Sequence, residues 1–195
     1  ENPEQKLVVH GPVIHTTNLE NPEAKQKLTD FSRAFFATGN ASVRLEELIA
    51  AGLFDEDFNE YGWEDLEFGY RLRKRGLVAI KEPQAVGYHF KYAVELSHFP
   101  DLWQRERERG HMALLYYRKH PVLSVKLSTM LAWPFFLIDG LLSLGSWPHW
   151  PATERLLAFL ERRNCQGLFK FFFYLALNHA YFDGMREALR LERRA

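Results

Sequence analysis

At His98 the chain changes character. Before it, short β-branched runs alternate with Gly, Pro and polar turn signals; beyond it, long stretches carry helical spacing with few breakers. Strands of about 4–8 residues and helices of about 10 or more obey different periods, so the two stretches cannot share one architecture. Residues 1–97 therefore read as an α/β part and residues 98–195 as a helical C-terminal extension.

In the first part, Leu7–Val9 and Val13–Thr17 read as strands parted by the Gly11-Pro12 turn signal. Residues 18–30 are polar and read as a loop. Ala34–Thr38, "AFFAT", reads as a strand. "NASVRLEELIAAG" reads as a helix capped by Asn40 or Ser42 and stopped by Gly52. "GWEDLEFGYRLRKRG", residues 62–76, predicts the next helix: Leu66 and Tyr70, then Phe68 and Leu72, lie one turn apart, and Gly76 suits a left-handed stop. Leu77–Ile80 reads as a buried strand, Glu82-Pro83 as a turn and "AVGYHF" as a last strand.

Composition limits what such a chain can do. With 47% hydrophobic and 15% aromatic residues it can build a core. Lys plus Arg equals Asp plus Glu at 25 each, which argues against nucleic acid as a partner. Cys165 is the single cysteine, so neither an internal disulfide nor a cysteine zinc site can form, and it reads as an inert helix-end residue. The opening "ENPEQ" has no Met and no basic-then-apolar signal. It reads as the start of a piece whose missing N-terminal part holds half of an active site.

Val122–Leu144 is strongly apolar but is interrupted by Lys126, Pro134 and Asp139. Its uncharged centre, Leu127–Ile138, falls short of the ~20 residues that span a bilayer. It reads as a buried or interfacial helical hairpin, or as a membrane-surface contact. Trp133, Phe135, Phe136, Trp147 and Trp150 suit a membrane interface, or else pack against Leu168–Leu177.

Residues 62–76 carry the candidate chemistry. The bland reading is a solvated helix with acids at its positive end and bases at its negative end. The sharper reading uses Trp63 as a platform for a flat or sugar-like ligand and the Glu64-Asp65 pair as an oriented carboxylate. Backbone N–H groups at a helix start hold a carboxylate ionised, as a general base requires.

Four elements occur here in order: Gly39-Asn40 before a helix, "GLFDEDF" at Gly52–Phe58, Trp63-Glu64-Asp65 opening a helix, and Arg71-Leu72 within it. This set resembles the C-terminal half of the catalytic domain in GT-A-fold glycosyltransferases of the family 2 type, over roughly residues 34–90. The resemblance implies the acceptor-side half of a GT-A fold and an inverting transfer from a nucleotide-sugar to an acceptor hydroxyl. It makes Asp65 the catalytic base and Glu64 a hydrogen-bonding partner of the acceptor or donor sugar. It sets Trp63 in the acceptor pocket and Gly39 and Asn40 near the sugar. His89, in "GYHF", matches a position that contacts a divalent metal (Mn or Mg) or the diphosphate. Arg105 and Arg109, in "RERER", read as a solvated face or as contacts to the donor diphosphate.

Asp55–Asp57, "DED", copies the letters of that family's metal motif but follows helix-ending Gly52, so it reads as turn chemistry. His10 and His15 flank a turn and read as structural. The resemblance thus implies a nucleotide-sugar donor, a sugar-type acceptor, cytoplasmic exposure where such donors are made, and no activity from residues 1–195 alone. The competing reading is a non-catalytic interaction or membrane-associated module derived from the same fold; a sugar-binding domain without chemistry is another, against which the acid pair speaks.

Overall fold

The computed structural model describes residues 6–18, 20, 22 and 26–194, so the loop read across 18–30 lies partly outside the described residues. The fold is mixed α/β, with helices dominating and two small sheets. It divides into two compact units. One takes the chain up to Asp57 and then Glu64–Ala93; the other takes Phe58–Trp63 and Val94–Ala195.

The first unit contains strands β1 (Leu7–His10), β2 (Val13–Thr16), β3 (Ala41–Val43), β4 (Val78–Lys81) and β5 (Gly87–Phe90), and helices α1 (Leu45–Ala50) and α2 (Glu64–Lys74). Strand β1 is the centre of one sheet, antiparallel to β3 and parallel to β4. Strand β2 pairs in parallel with β5, His15 opposite His89. Val8, Phe36, Phe68, Leu72 and Leu77 form the core. The Phe68 and Leu72 row read from the sequence is the buried face of α2, and Gly76 (φ 84°) stops it in the left-handed region.

Two local readings are corrected. Ala34–Thr38 is not a strand. Phe36 leaves the run to meet Phe68 edge-on, ring centroids 5.4 Å apart, and a Cβ on Gly69 would lie 2.9 Å from the Phe36 nitrogen. The strand comes later, as β3, so neither Asn40 nor Ser42 caps a helix; α1 starts after Arg44, whose side chain caps nothing. The Leu77–Ile80 run was expected to be a buried strand. Leu77 is buried in the core, but the strand that follows, β4 (Val78–Lys81), is the edge of its sheet and all four of its residues are exposed.

The second unit is helical: α3 (Phe99–Lys119), α4 (Leu123–Ser128), α5 (Trp133–Leu142), α6 (Pro151–Arg162) and α7 (Gln166–Glu192). Helices α3 and α7 pack backbone to backbone. A Cβ on Gly110 would sit 2.2 Å from the Tyr181 carbonyl oxygen, and one on Gly184 would sit 2.0 Å from that of Arg107. Phe99, Leu157, Leu160, Phe169 and Phe173 make one core; Ala113, Tyr181, Phe182 and Met185 make another.

The Val122–Leu144 run folds as two short helices, α4 and α5, parted by a turn at Met130 (φ 55°). Phe136 packs on Phe182 and Trp147 on Phe172, whereas Trp133 is 74% exposed. Only 17% of Leu123–Leu142 is buried. By length and composition alone, with its two charges tolerated, Leu123–Leu142 is long and apolar enough to cross a membrane, although it folds here as two separate helices.

Candidate active site

Helix α2 begins at Glu64, the first residue after a strained link. Gly62 and Trp63 both have positive φ, 101° and 74°, and the latter is unfavourable for a bulky side chain. The first turn of a helix has unsatisfied N–H groups, and Asp65 uses one: its Oδ1 accepts from the Leu66 N–H at 2.8 Å. That bond favours the carboxylate. Burial, followed by the negative charge of Glu64, outweighs it and pushes the Asp65 carboxyl above its ordinary value of 3.8. Glu64 Oε2 is buried with no hydrogen-bond partner among the described residues. The acid pair is therefore undersatisfied.

One turn on, the same helix shows the opposite arrangement. Glu67 is 1% exposed, and Arg71 grips both its oxygens, with Nε 2.8 and 3.0 Å from Oε1 and Oε2 and Nη2 2.8 Å from Oε2. Arg71 also donates to the carbonyls of Ala51 and Leu53, which close α1 and the Gly52 turn. The Arg-Leu element of the sequence pattern thus ties α2 to the end of α1. Sequence reasoning missed Glu67 as a buried acid, although its i,i+4 spacing to Arg71 was visible.

Trp63 belongs to the second unit, where residues 58–63 run along α3. Its indole Nε1 donates to the Arg109 carbonyl at 2.9 Å, and its ring lies 5.9 Å from Tyr116 and 6.5 Å from Tyr181. Glu60 meets His111 at 2.9 Å, and the Arg105 guanidinium lies over Tyr61 at 5.7 Å. Arg109 pairs with Glu106 at 2.7 Å and lies 4.8 Å over the Tyr181 ring. Burial raises the Glu106 carboxyl, and Arg109 opposes that rise. Of the two arginines read as diphosphate contacts, Arg105 thus stacks on Tyr61 of this segment, whereas the Arg109 guanidinium pairs within the helices and keeps a buried Nε without a partner among the described residues.

Asn40 is engaged too. Its Nδ2 donates to the Pro12 carbonyl at 3.1 Å and the Ala85 carbonyl at 2.7 Å, and its own carbonyl accepts from the Gly11 N–H at 3.2 Å. It joins the turn after β1 to the loop before β5. A Cβ at neighbouring Gly39 would only touch Val13 at 3.7 Å. His10 is buried, with Nε2 2.8 Å from the Phe35 carbonyl oxygen. His89 stands on exposed β5 with its ring 5.3 Å from that of His15, a pairing that follows from strand register and is hidden in the sequence. Two imidazoles do not suit Mn or Mg, hard cations that take oxygen ligands. Among the described residues no carboxylate completes a three-ligand group with them.

No protein-family model matches the chain, and no solved structure matches it. Curated proteins do. The chain is 36% identical over 86 residues to the chondroitin synthase of Escherichia coli, covering 44% of this chain and 12% of that protein. It is 48% identical over 81 residues to the hyaluronan synthase of Pasteurella multocida, covering 40% and 8%. The relatives are glycosyltransferases. A validoxylamine A glucosyltransferase of Streptomyces hygroscopicus subsp. jinggangensis is 33% identical over 131 residues, covering 62% of this chain and 28% of that protein. The chain thus spans about a tenth of the length of the two synthases and about a quarter of the glucosyltransferase.

Proposed function

We propose that this chain is the acceptor-side part of a GT-A-type glycosyltransferase catalytic domain, with Asp65 as general base. The observation that carries the reading is the undersatisfied acid pair opening α2: Glu64 Oε2 is buried without a partner and the Asp65 carboxyl is raised. A group left unpaired in the free protein is free to bond a ligand, and a base works best with a pKa near the operating pH. In the inverting step an acceptor hydroxyl oxygen attacks the anomeric carbon of a nucleotide-sugar. Asp65 takes the hydroxyl proton, the bond to the diphosphate breaks, and the nucleoside diphosphate leaves. Glu64 accepts a hydrogen bond from a sugar hydroxyl. The sugar-polymer and glucosyl chemistry in the relatives' names supports a sugar-type acceptor.

The test uses the full-length protein and a panel of nucleotide-sugars. Asp65→Asn should lower transfer by about 10²–10⁴-fold while donor binding persists. A variant keeping more than about a tenth of the rate excludes Asp65 as the base, since general bases contribute at least about 10².

A second reading concerns location. Trp133, Leu137, Ile138, Leu141 and Leu144 are each more than half exposed. Such a face supports peripheral attachment to a membrane, with the transfer site on the cytoplasmic side where nucleotide-sugars are made. The chain should co-sediment with neutral and anionic vesicles alike. Recovery in the supernatant with both makes the face a protein contact instead.

A further inference from the structure

Asp139 of α5 is 2% exposed, and three groups reach it or its neighbourhood. His179 of α7 places Nδ1 3.0 and 3.1 Å from its two oxygens, and Arg186 places Nη2 2.5 Å from Oδ2. The Nδ1–H of His179 donates to this carboxylate, which fixes the tautomer and turns Nε2 away from it. That Nε2 lies 3.5 Å from Asp183 Oδ2. His149 brings its own Nε2 to 2.6 Å from the same oxygen, while Arg186 takes the other oxygen of Asp183 at 3.2 Å. The edge of Trp103 packs on the His149 ring at 5.2 Å between centroids.

Two imidazole Nε2 atoms thus converge on one carboxylate oxygen. We propose that His149, His179 and Asp183 form a site for a zinc-class divalent ion, with Asp139 as the outer carboxylate that orients His179. Imidazole and carboxylate donors suit zinc, and two His plus one carboxylate is a known three-ligand set that leaves a fourth position open. Their ligand atoms lie within 4.8 Å of one another. A tetrahedral ion with bonds of about 2.0–2.2 Å wants its ligand atoms about 3.3 Å apart. The His179–Asp183 pair already meets this at 3.5 Å. His149 must shift by about 1 Å, away from the Asp183 oxygen at 2.6 Å and toward His179, to even out ligand atoms that now lie within 4.8 Å of one another. It can do so because it ends the short 3-10 turn Leu144–His149 and its side chain is half exposed. Among the described residues Arg186 is the guanidinium in contact with Asp139 and Asp183, and Arg107, Arg190 and Arg194 line the adjoining cavity together with Asp183 and Glu187. A cavity of about 610 Å³, lined by His149, Asp183, Arg190 and Arg194 among others, adjoins the site, so the fourth position can take water or a small anion.

The test titrates Zn²⁺, and separately Co²⁺, into the chelator-treated chain at neutral pH, followed by calorimetry and by the visible absorption of bound cobalt. One ion should bind per chain with a nitrogen-and-oxygen cobalt spectrum. His149→Ala, at a half-exposed position that folding tolerates, should weaken binding at least about tenfold, and Asp139→Asn by about 10–100-fold. Absence of zinc binding overturns the proposal. Binding that His149→Ala leaves unchanged overturns it as well, by placing the ion elsewhere.

Discussion

Helix α2 holds two sets of acids with opposite surroundings. Glu67 is buried and gripped by Arg71, which also holds the carbonyls that end α1. One turn earlier, Glu64 and Asp65 face each other's charge, and Glu64 keeps a buried oxygen without a partner. The residue types are the same and the helix is the same. The difference is the cation: the first arrangement spends its charge inside the fold, and the second keeps its charge available for something outside it. Removing an acid should therefore do opposite things at the two places.

The largest contrast is expected in transfer, where Asp65→Asn removes the proposed base. Next comes stability. Glu67→Gln leaves Arg71 without its carboxylate and should cost about 3 kcal/mol, the low end for a broken buried pair, because Arg71 keeps some contact with water. Urea unfolding reads this directly, and a loss under about 1 kcal/mol would make the pair no better than a surface one. The smallest effect has the opposite sign. A carboxyl raised on folding makes the folded state bind more protons than the unfolded state, so its ionisation costs stability as pH rises through and above 3.8. Relative to wild type, Asp65→Asn should therefore gain melting temperature as pH is raised from below 3.8 to neutrality. A gap that closes over that range would reverse the sign of the environment inferred here.

Much of this was legible in the sequence. The helical periods of α2, α3, α6 and α7 and the glycine stops were visible because they depend on local spacing. "AFFAT" misled because an apolar run of five has no period of its own, and a core contact to Gly69 bent it away from any strand. The resemblance sets Asn40 near the sugar; that its amide also joins two loops only the distant carbonyls of Pro12 and Ala85 reveal. The acid pair was visible, but not its energetics: the N–H groups of the helix start suggested a comfortable carboxylate, and burial outweighed them. The His149, His179 and Asp183 group was hidden, because α7 supplies only the i,i+4 pair and the third ligand lies 30 residues upstream of the second.

The most direct test of the contrast is a residue-resolved carboxyl titration of the 195-residue chain by carbon NMR. Asp65 should titrate with a midpoint above 3.8, and that midpoint should fall in Glu64→Gln, which removes the neighbouring charge. A midpoint at or below 3.8 would show Asp65 to be a satisfied helix-start carboxylate, and would remove the distinction between the two sets of acids.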